Sequence, residues 1–193
     1  MKSPRHKPGL NRWKARLKDE GLSATLRPEL RELRDAWAAL PQAGLEESAQ
    51  ALVDALEGAD KQREEYWANR IQPFLHNIWP KSRDLASKGI SKRLARVSIA
   101  AQDAFPEALD AVANLLQPIE HPDYIVNLLH ESKLDERFPD EALSLLDPVV
   151  RDQGSPPPSE VTECLNSISR AEPALSQDPR YRRLDEYLRR CGA

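Results

Sequence analysis

The stretch FPEALDAVANLLQPIEHPDYIVNLLHESKLDERFPDEAL, residues 105–143, decides the fold. Three of its prolines are each followed by an acid: Pro106-Glu107, Pro122-Asp123 and Pro139-Asp140. They stand 16 and 17 residues apart, 33 over both steps, and Phe105-Pro106 returns as Phe138-Pro139 at that spacing. Glu107-Ala108-Leu109 returns as Glu141-Ala142-Leu143, one residue out of step. Proline at the first helical position loses no hydrogen bond, because that N–H has no partner within the helix. The acid behind it faces the positive end of the helix dipole, worth about 0.3–1 kcal/mol. Each dipeptide therefore starts a helix, and 33 residues is the length of a helical hairpin. A period in this range is the signature of an α-solenoid of stacked helix pairs.

The expected fold is all-α, a HEAT-like array of helical hairpins over 91–193 behind a less regular helical region, 11–90. The segments 106–117, 122–131 and 139–151 are expected as helices. Leu109, Val112, Leu116, Leu128, Leu146, Val149 and Leu165 are expected to share one continuous core, and no β-strand is expected. Further along, Gly154-Ser155-Pro156-Pro157-Pro158 reads as an extended connection. Val161, Leu165 and Ile168 mark the next helix, and Asp178-Pro179 starts the last.

Toward the N-terminus, Pro28-Glu29 opens a helix striped by Leu30, Leu33, Trp37 and Leu40 and ended by Pro41 and Gly44. Ala49, Leu52, Val53 and Leu56 mark another, closed by Gly58. A longer stretch from Asp60 carries Tyr66, Trp67, Phe74 and Trp79, and Pro73 inside it must kink or break it. Residues 81–90 read as a basic loop, with Ser91 as the N-cap of the helix after it. Residues 1–10 are expected to be a disordered basic arm, too poor in apolar surface to offset ordering entropy of about 1–2 kcal/mol per residue.

The chain has 193 residues and a net charge of −3, with charge unevenly placed. Residues 1–18 hold seven Lys or Arg and no acid; 81–100 hold six against Asp84; 121–160 hold three against nine acids. No run approaches the roughly 18 apolar residues a membrane span needs. Cys164 and Cys191 lie far apart without metal-ligand spacing, which fits a reducing, cytoplasmic setting, with a disulfide between them as the alternative.

No sequence motif of catalysis is present: no glycine-rich phosphate loop, nucleophile elbow, paired-carboxylate motif or CxxC. His121 and His130 lack HxxxH or HExxH spacing, so no metal or cofactor is expected. Cys164, on an apolar stripe, reads as a small core residue. The strongest interaction candidate is the aromatic and basic set Tyr66, Trp67, Arg70, Trp79, Lys81, Arg83, Lys92, Arg93 and Arg96. Rings beside cations suit single-stranded nucleic acid; the ordinary alternative is that the rings fill the core. Binding another protein is the first expectation. Nucleic-acid binding through 1–18 and 81–96 is the second, and the overall pI of about 5.9 counts against it. A small enzyme ranks last.

Four short segments carry a resemblance: Tyr66-Trp67-Ala68-Asn69-Arg70, Trp79-Pro80-Lys81-Ser82, Phe105-Pro106-Glu107-Ala108 and Asn127-Leu128-Leu129-His130-Glu131-Ser132. Over about 60–190 the chain resembles the C-terminal helical-repeat region of large bacterial anti-phage defence proteins with a sirtuin-like or nucleoside-triphosphatase effector module upstream. The resemblance implies sensing or partner contact by the helices, with catalysis elsewhere. It transfers no catalytic residue, and implies a stand-alone component or an incomplete relative.

Overall fold

Proline and its following acid do start helices where the sequence places them. In the computed structural model, which describes residues 27–59, 62–79, 87–150 and 157–191 (side chains of 27–31 excepted), every regular element is helical and no strand occurs among those residues. The order is α1 (Arg27–Ala38), α2 (Gln42–Glu57), α3 (Arg63–Tyr66), a π-turn (Trp67–Ile71), α4 (Gln72–Asn77) and α5 (Lys88–Ala100). Next come α6 (Phe105–Val112), α7 (Asp123–Glu131), α8 (Leu134–Arg137), α9 (Pro139–Val149), α10 (Glu160–Ala171) and α11 (Pro179–Arg190). Pro106 and Pro139 sit in the first turn of α6 and α9, and Pro122 is the N-cap of α7. The basic arm and the start of the helical region expected over 11–90 lie outside the described residues, as does most of the 154–158 connection.

Two hydrophobic cores form. One gathers Trp37, the α2 stripe, Trp67, Phe74, Trp79, Leu94, Val97, Val112 and Leu115. The other gathers Ile99, Phe105, Leu109, Ile125, Leu129, Leu146, Val149, Leu165, Ile168 and Leu184. The single core expected from the sequence is thus divided: Val112 belongs to the first, while Leu109, Leu146, Val149 and Leu165 belong to the second. Leu116 and Leu128 are only partly buried at the edges. Helices α5 and α6 contribute to both cores. Phe105 and Phe138, the two ends of the 33-residue repeat, meet with ring centroids 6.1 Å apart.

Four local readings change. The helix expected over 106–117 ends at Val112 and tightens into a 3-10 turn, Ala113–Leu115. Three residues per turn carry the inward direction from Val112 to Leu115 and leave Ala113 exposed. Gly44 does not end α1 but lies inside α2. The cap of α5 is Ser87, whose Oγ accepts from the Ile90 N–H at 3.1 Å, so Gly89 is helical and Ser91 is interior. Ser91 instead donates to the Gln117 carbonyl (2.8 Å) and accepts from its N–H (3.0 Å). Of the kink or break expected at Pro73, the break does not occur: a π-turn lies just before it, where the Gln72 N–H donates to the Trp67 carbonyl five residues back, and takes up the missing donor.

This packing can be tested at two places. Leu115→Ala is expected to cost about 2–5 kcal/mol, as for a fully buried leucine, and Leu116→Ala distinctly less; urea denaturation of both variants checks the order. Asp178 caps α11, accepting from the Arg180 N–H and from its guanidinium, and the Arg180 hydrogen bonds lower its pKa to about 2. A carboxylate with a lowered folded pKa stabilises above its ordinary value and loses that contribution as pH falls through the folded one. The thermal stability gap between wild type and Asp178→Asn is therefore expected at neutral pH and should close between about pH 4 and pH 2.

Candidate functional site

The aromatic and basic residues singled out in the sequence divide into four groups. Trp67 and Trp79 are 2% and 4% exposed, and Phe74 stacks edge-on against both Trp37 (5.2 Å) and Trp79 (6.2 Å). Those tryptophans fill the core and offer no ring to a ligand, because this N-terminal core needs their bulk between α1, α4 and α5. Tyr66 and Arg70 stand one turn apart on the adjoining rod, the guanidinium 5.1 Å from the ring centre. Lys81 and Arg83 lie outside the described residues.

Lys92, Arg93 and Arg96 lie on α5, where a spacing of three and four residues puts Lys92 and Arg96 on one face. That face meets Tyr124, which the sequence reading did not single out. Tyr124 is 47% exposed, the large hydrophobic side chain left open to solvent among the described residues. The Lys92 ammonium lies 5.8 Å and the Arg96 guanidinium 5.3 Å from its ring centre. Most cations of α5 also have carboxylate partners: Lys88 with Glu120 (2.7 Å), Arg93 with Glu46 (3.2 Å) and Arg96 with Glu57 (2.7 Å). Glu46 also accepts from Gln42 and Ser87, close against Gly89, where an added Cβ would lie 2.5 Å from its Oε1.

A second cluster lies in the other core; the sequence reading takes His130 and Cys164 singly and does not join them. His130, at the end of α7, approaches Asp135 of α8, with Nδ1 2.6 Å from Oδ2. Between them Lys133 takes a left-handed conformation (φ 56°) as the N-cap of α8, which turns the chain from α7 into α8. Cys164, on α10, reaches the same spot and donates weakly to the Val126 carbonyl at 3.7 Å. One ligand atom from each of His130, Asp135 and Cys164 lies within 4.8 Å of the others. Asp135 is fully buried and its Oδ1 has no hydrogen-bond partner. The hydrogen bond to Asp135 holds the His130 imidazolium above its ordinary range, against the opposing effect of burial. Burial, with the Asp135 carboxylate behind it, pushes the Cys164 thiol well up. A fully buried, protonated thiol is not a nucleophile toward an outside substrate. His121, which the sequence reading weighed with His130, is exposed and is not one of the group. Cys164 and Cys191 are both free thiols, one buried and one exposed, so the disulfide alternative is not realised.

A hollow of about 330 Å³ between α9 and α11 is lined by Asp147, Arg183, Glu186, Tyr187 and Arg190 among others, with Arg183 bound to Asp147 at 2.7 Å. It gathers surface ion pairs and no nucleophile with its base. No helix of the described residues is long and apolar enough to cross a membrane.

No protein family profile matches the chain, and no solved structure matches it. Uncharacterized protein y4cA of Sinorhizobium fredii is 28% identical over 130 residues, which cover 66% of this chain and 11% of that protein. The chain thus corresponds to a small part of that relative's length.

The contrast between core and surface rings has a direct test. Trp67→Ala is expected to cost about 3–5 kcal/mol, as a buried aromatic does, whereas Tyr124→Ala should stay within about 1 kcal/mol of wild type. Chemical denaturation of the two variants measures both.

Proposed function

We propose that this chain is a non-catalytic helical interaction module that presents the face around Tyr124, Lys92 and Arg96 to another protein. The observation that carries the reading is the half-exposed Tyr124 ring held under two cations. Tyrosine and arginine are the residue types that concentrate binding energy at protein interfaces, where a rigid ring adds area at small entropic cost. The partner surface that suits them is an acidic one with an apolar contact for the ring. The helices are read as a HEAT-like array of hairpins, supported by the 33-residue spacing and by the meeting of Phe105 with Phe138. The working context is read as a bacterial defence system, on the strength of the resemblance over about 60–190, and the setting as the cytoplasm, which suits two free thiols.

Nucleic acid is the weaker reading. Lys88, Arg93 and Arg96 already have carboxylate partners, and a phosphate backbone would have to displace them. The test compares wild type with Tyr124→Ala and Lys92→Glu, both at positions where the fold has little at stake. Each is expected to weaken binding to the partner by tenfold or more, with salt weakening the wild-type complex through the Lys92 contribution. Partner capture followed by titration calorimetry across a salt series measures this. Unchanged partner affinity in both variants would overturn the reading, and salt-sensitive binding of single-stranded DNA or RNA lost in Lys92→Glu would replace it with the nucleic-acid one.

A further inference from the structure

We propose that His130, Asp135 and Cys164 form a divalent-metal site of the zinc class that staples α7, α8 and α10. The three side chains come from three helices and offer one imidazole nitrogen, one carboxylate oxygen and one sulfur, all within 4.8 Å of one another. Mixed nitrogen, sulfur and oxygen sets suit Zn²⁺, whose bonds of about 2.0–2.3 Å place tetrahedral ligands about 3.3–3.8 Å apart. Small side-chain shifts about a common centre reach that geometry. The His130–Asp135 contact opens from 2.6 Å, and the sulfur draws in.

The second observation is Asp135 itself. It is fully buried, and its Oδ1 has no hydrogen-bond partner. A buried carboxylate oxygen without a donor is costly, and a cation is the partner that removes the cost. Charge balances too: a divalent ion with one thiolate and one carboxylate is neutral, which suits a site where Asp135 and Cys164 are fully buried. Binding releases two protons to solvent, one from the thiol and one from the imidazolium Nδ1 that faces Asp135, and leaves sulfur and Nδ1 bound to the metal. The imidazole binds through Nδ1 and keeps its proton on Nε2, which faces the Glu163 carboxylate at 3.8 Å. A carboxylate hydrogen-bonded to the far nitrogen of a ligating histidine fixes the ring's tautomer and orientation, and Glu163 has to close from 3.8 Å by about 1 Å to do so. Glu163 is thus a positioning residue, and the partly exposed His130 edge is where the ion enters and where water takes the fourth position.

The experiment titrates the purified full chain with Co²⁺, then displaces it with Zn²⁺. The expected result is one equivalent bound, with a thiolate-to-cobalt charge-transfer band that Zn²⁺ removes and a melting temperature raised by Zn²⁺. Cys164→Ser should abolish the band, and His130→Ala the binding. Glu163→Gln should weaken affinity by about 10–100-fold with the band retained. His130 is partly exposed, so the alanine variant keeps the test open should a change at Cys164 unfold the chain. Wild type that stays folded and binds no Co²⁺, or binds it without a thiolate band, overturns the proposal. So does undiminished binding in folded His130→Ala.

Discussion

Helix α5 is buried almost all the way round, and the rest of the chain is arranged about that constraint. Of the residues from Lys88 to Ala100, Lys88 alone is exposed. Leu94, Val97 and Ala100 enter one core while Ala95 and Ile99 enter the other. A helix in that position has to accept neighbours on several sides, and its small residues allow it. Gly89 lets the Glu46 carboxylate come against the backbone, and Ser91 locks the segment after α6 with two hydrogen bonds to Gln117. Ser98 satisfies itself on the Ala95 carbonyl, so no buried hydroxyl on this helix is left without a partner.

The same constraint governs the charges. A helix hemmed in on most sides leaves its cations within reach of neighbouring carboxylates. Arg93 and Arg96 accordingly bind Glu46 and Glu57, both on α2. Two cations of the run that looks in the sequence like a polyanion surface, Arg93 and Arg96, are therefore a tie between α2 and α5. Ion pairs that keep an edge in solvent contribute little each, about 0–1 kcal/mol, so they fix register between helices more than they hold them together. What remains outward is the Tyr124 ring with its two cations, a small feature but one of mixed apolar and basic character.

Legibility in the sequence tracks how local each determinant is. Pro106, Pro122 and Pro139 act within one helical turn, and the helices begin there. Leu115 displaced Leu116 because the chain changes from 3.6 to 3 residues per turn after Val112, a switch that periodicity alone does not announce. Ser87 and Ser91 are equally good caps by residue type, and the choice between them rests on Gln117, 26 residues beyond Ser91. Trp67 and Trp79 beside arginines and lysines match a stacking surface as well as a core, and only the approach of α1 and α5 decides. Cys164 is remote in sequence from His130 and Asp135, and no spacing rule connects the three. The one local hint was an acid five residues after a histidine with a lysine between.

Departures from local rules gather where the fold is held to something other than stability. The face around Tyr124 breaks few: its ring is half exposed, its helices are regular, and its irregularity is the Arg96 Nε, buried without a hydrogen-bond partner. The cluster around Asp135 breaks several at once. Lys133 holds a positive φ that costs a non-glycine residue about 1–2 kcal/mol. The four-residue helix it introduces buries an acid, and that acid keeps one oxygen without a donor beside a thiol pushed far from ionisation. A glycine at 133 would adopt that backbone without strain, and an apolar residue at 135 would leave no carboxylate oxygen without a donor. That the chain carries lysine and aspartate there instead places the stronger demand on the polar cluster, and makes it the part of the molecule where hydrophobic packing is the least sufficient explanation.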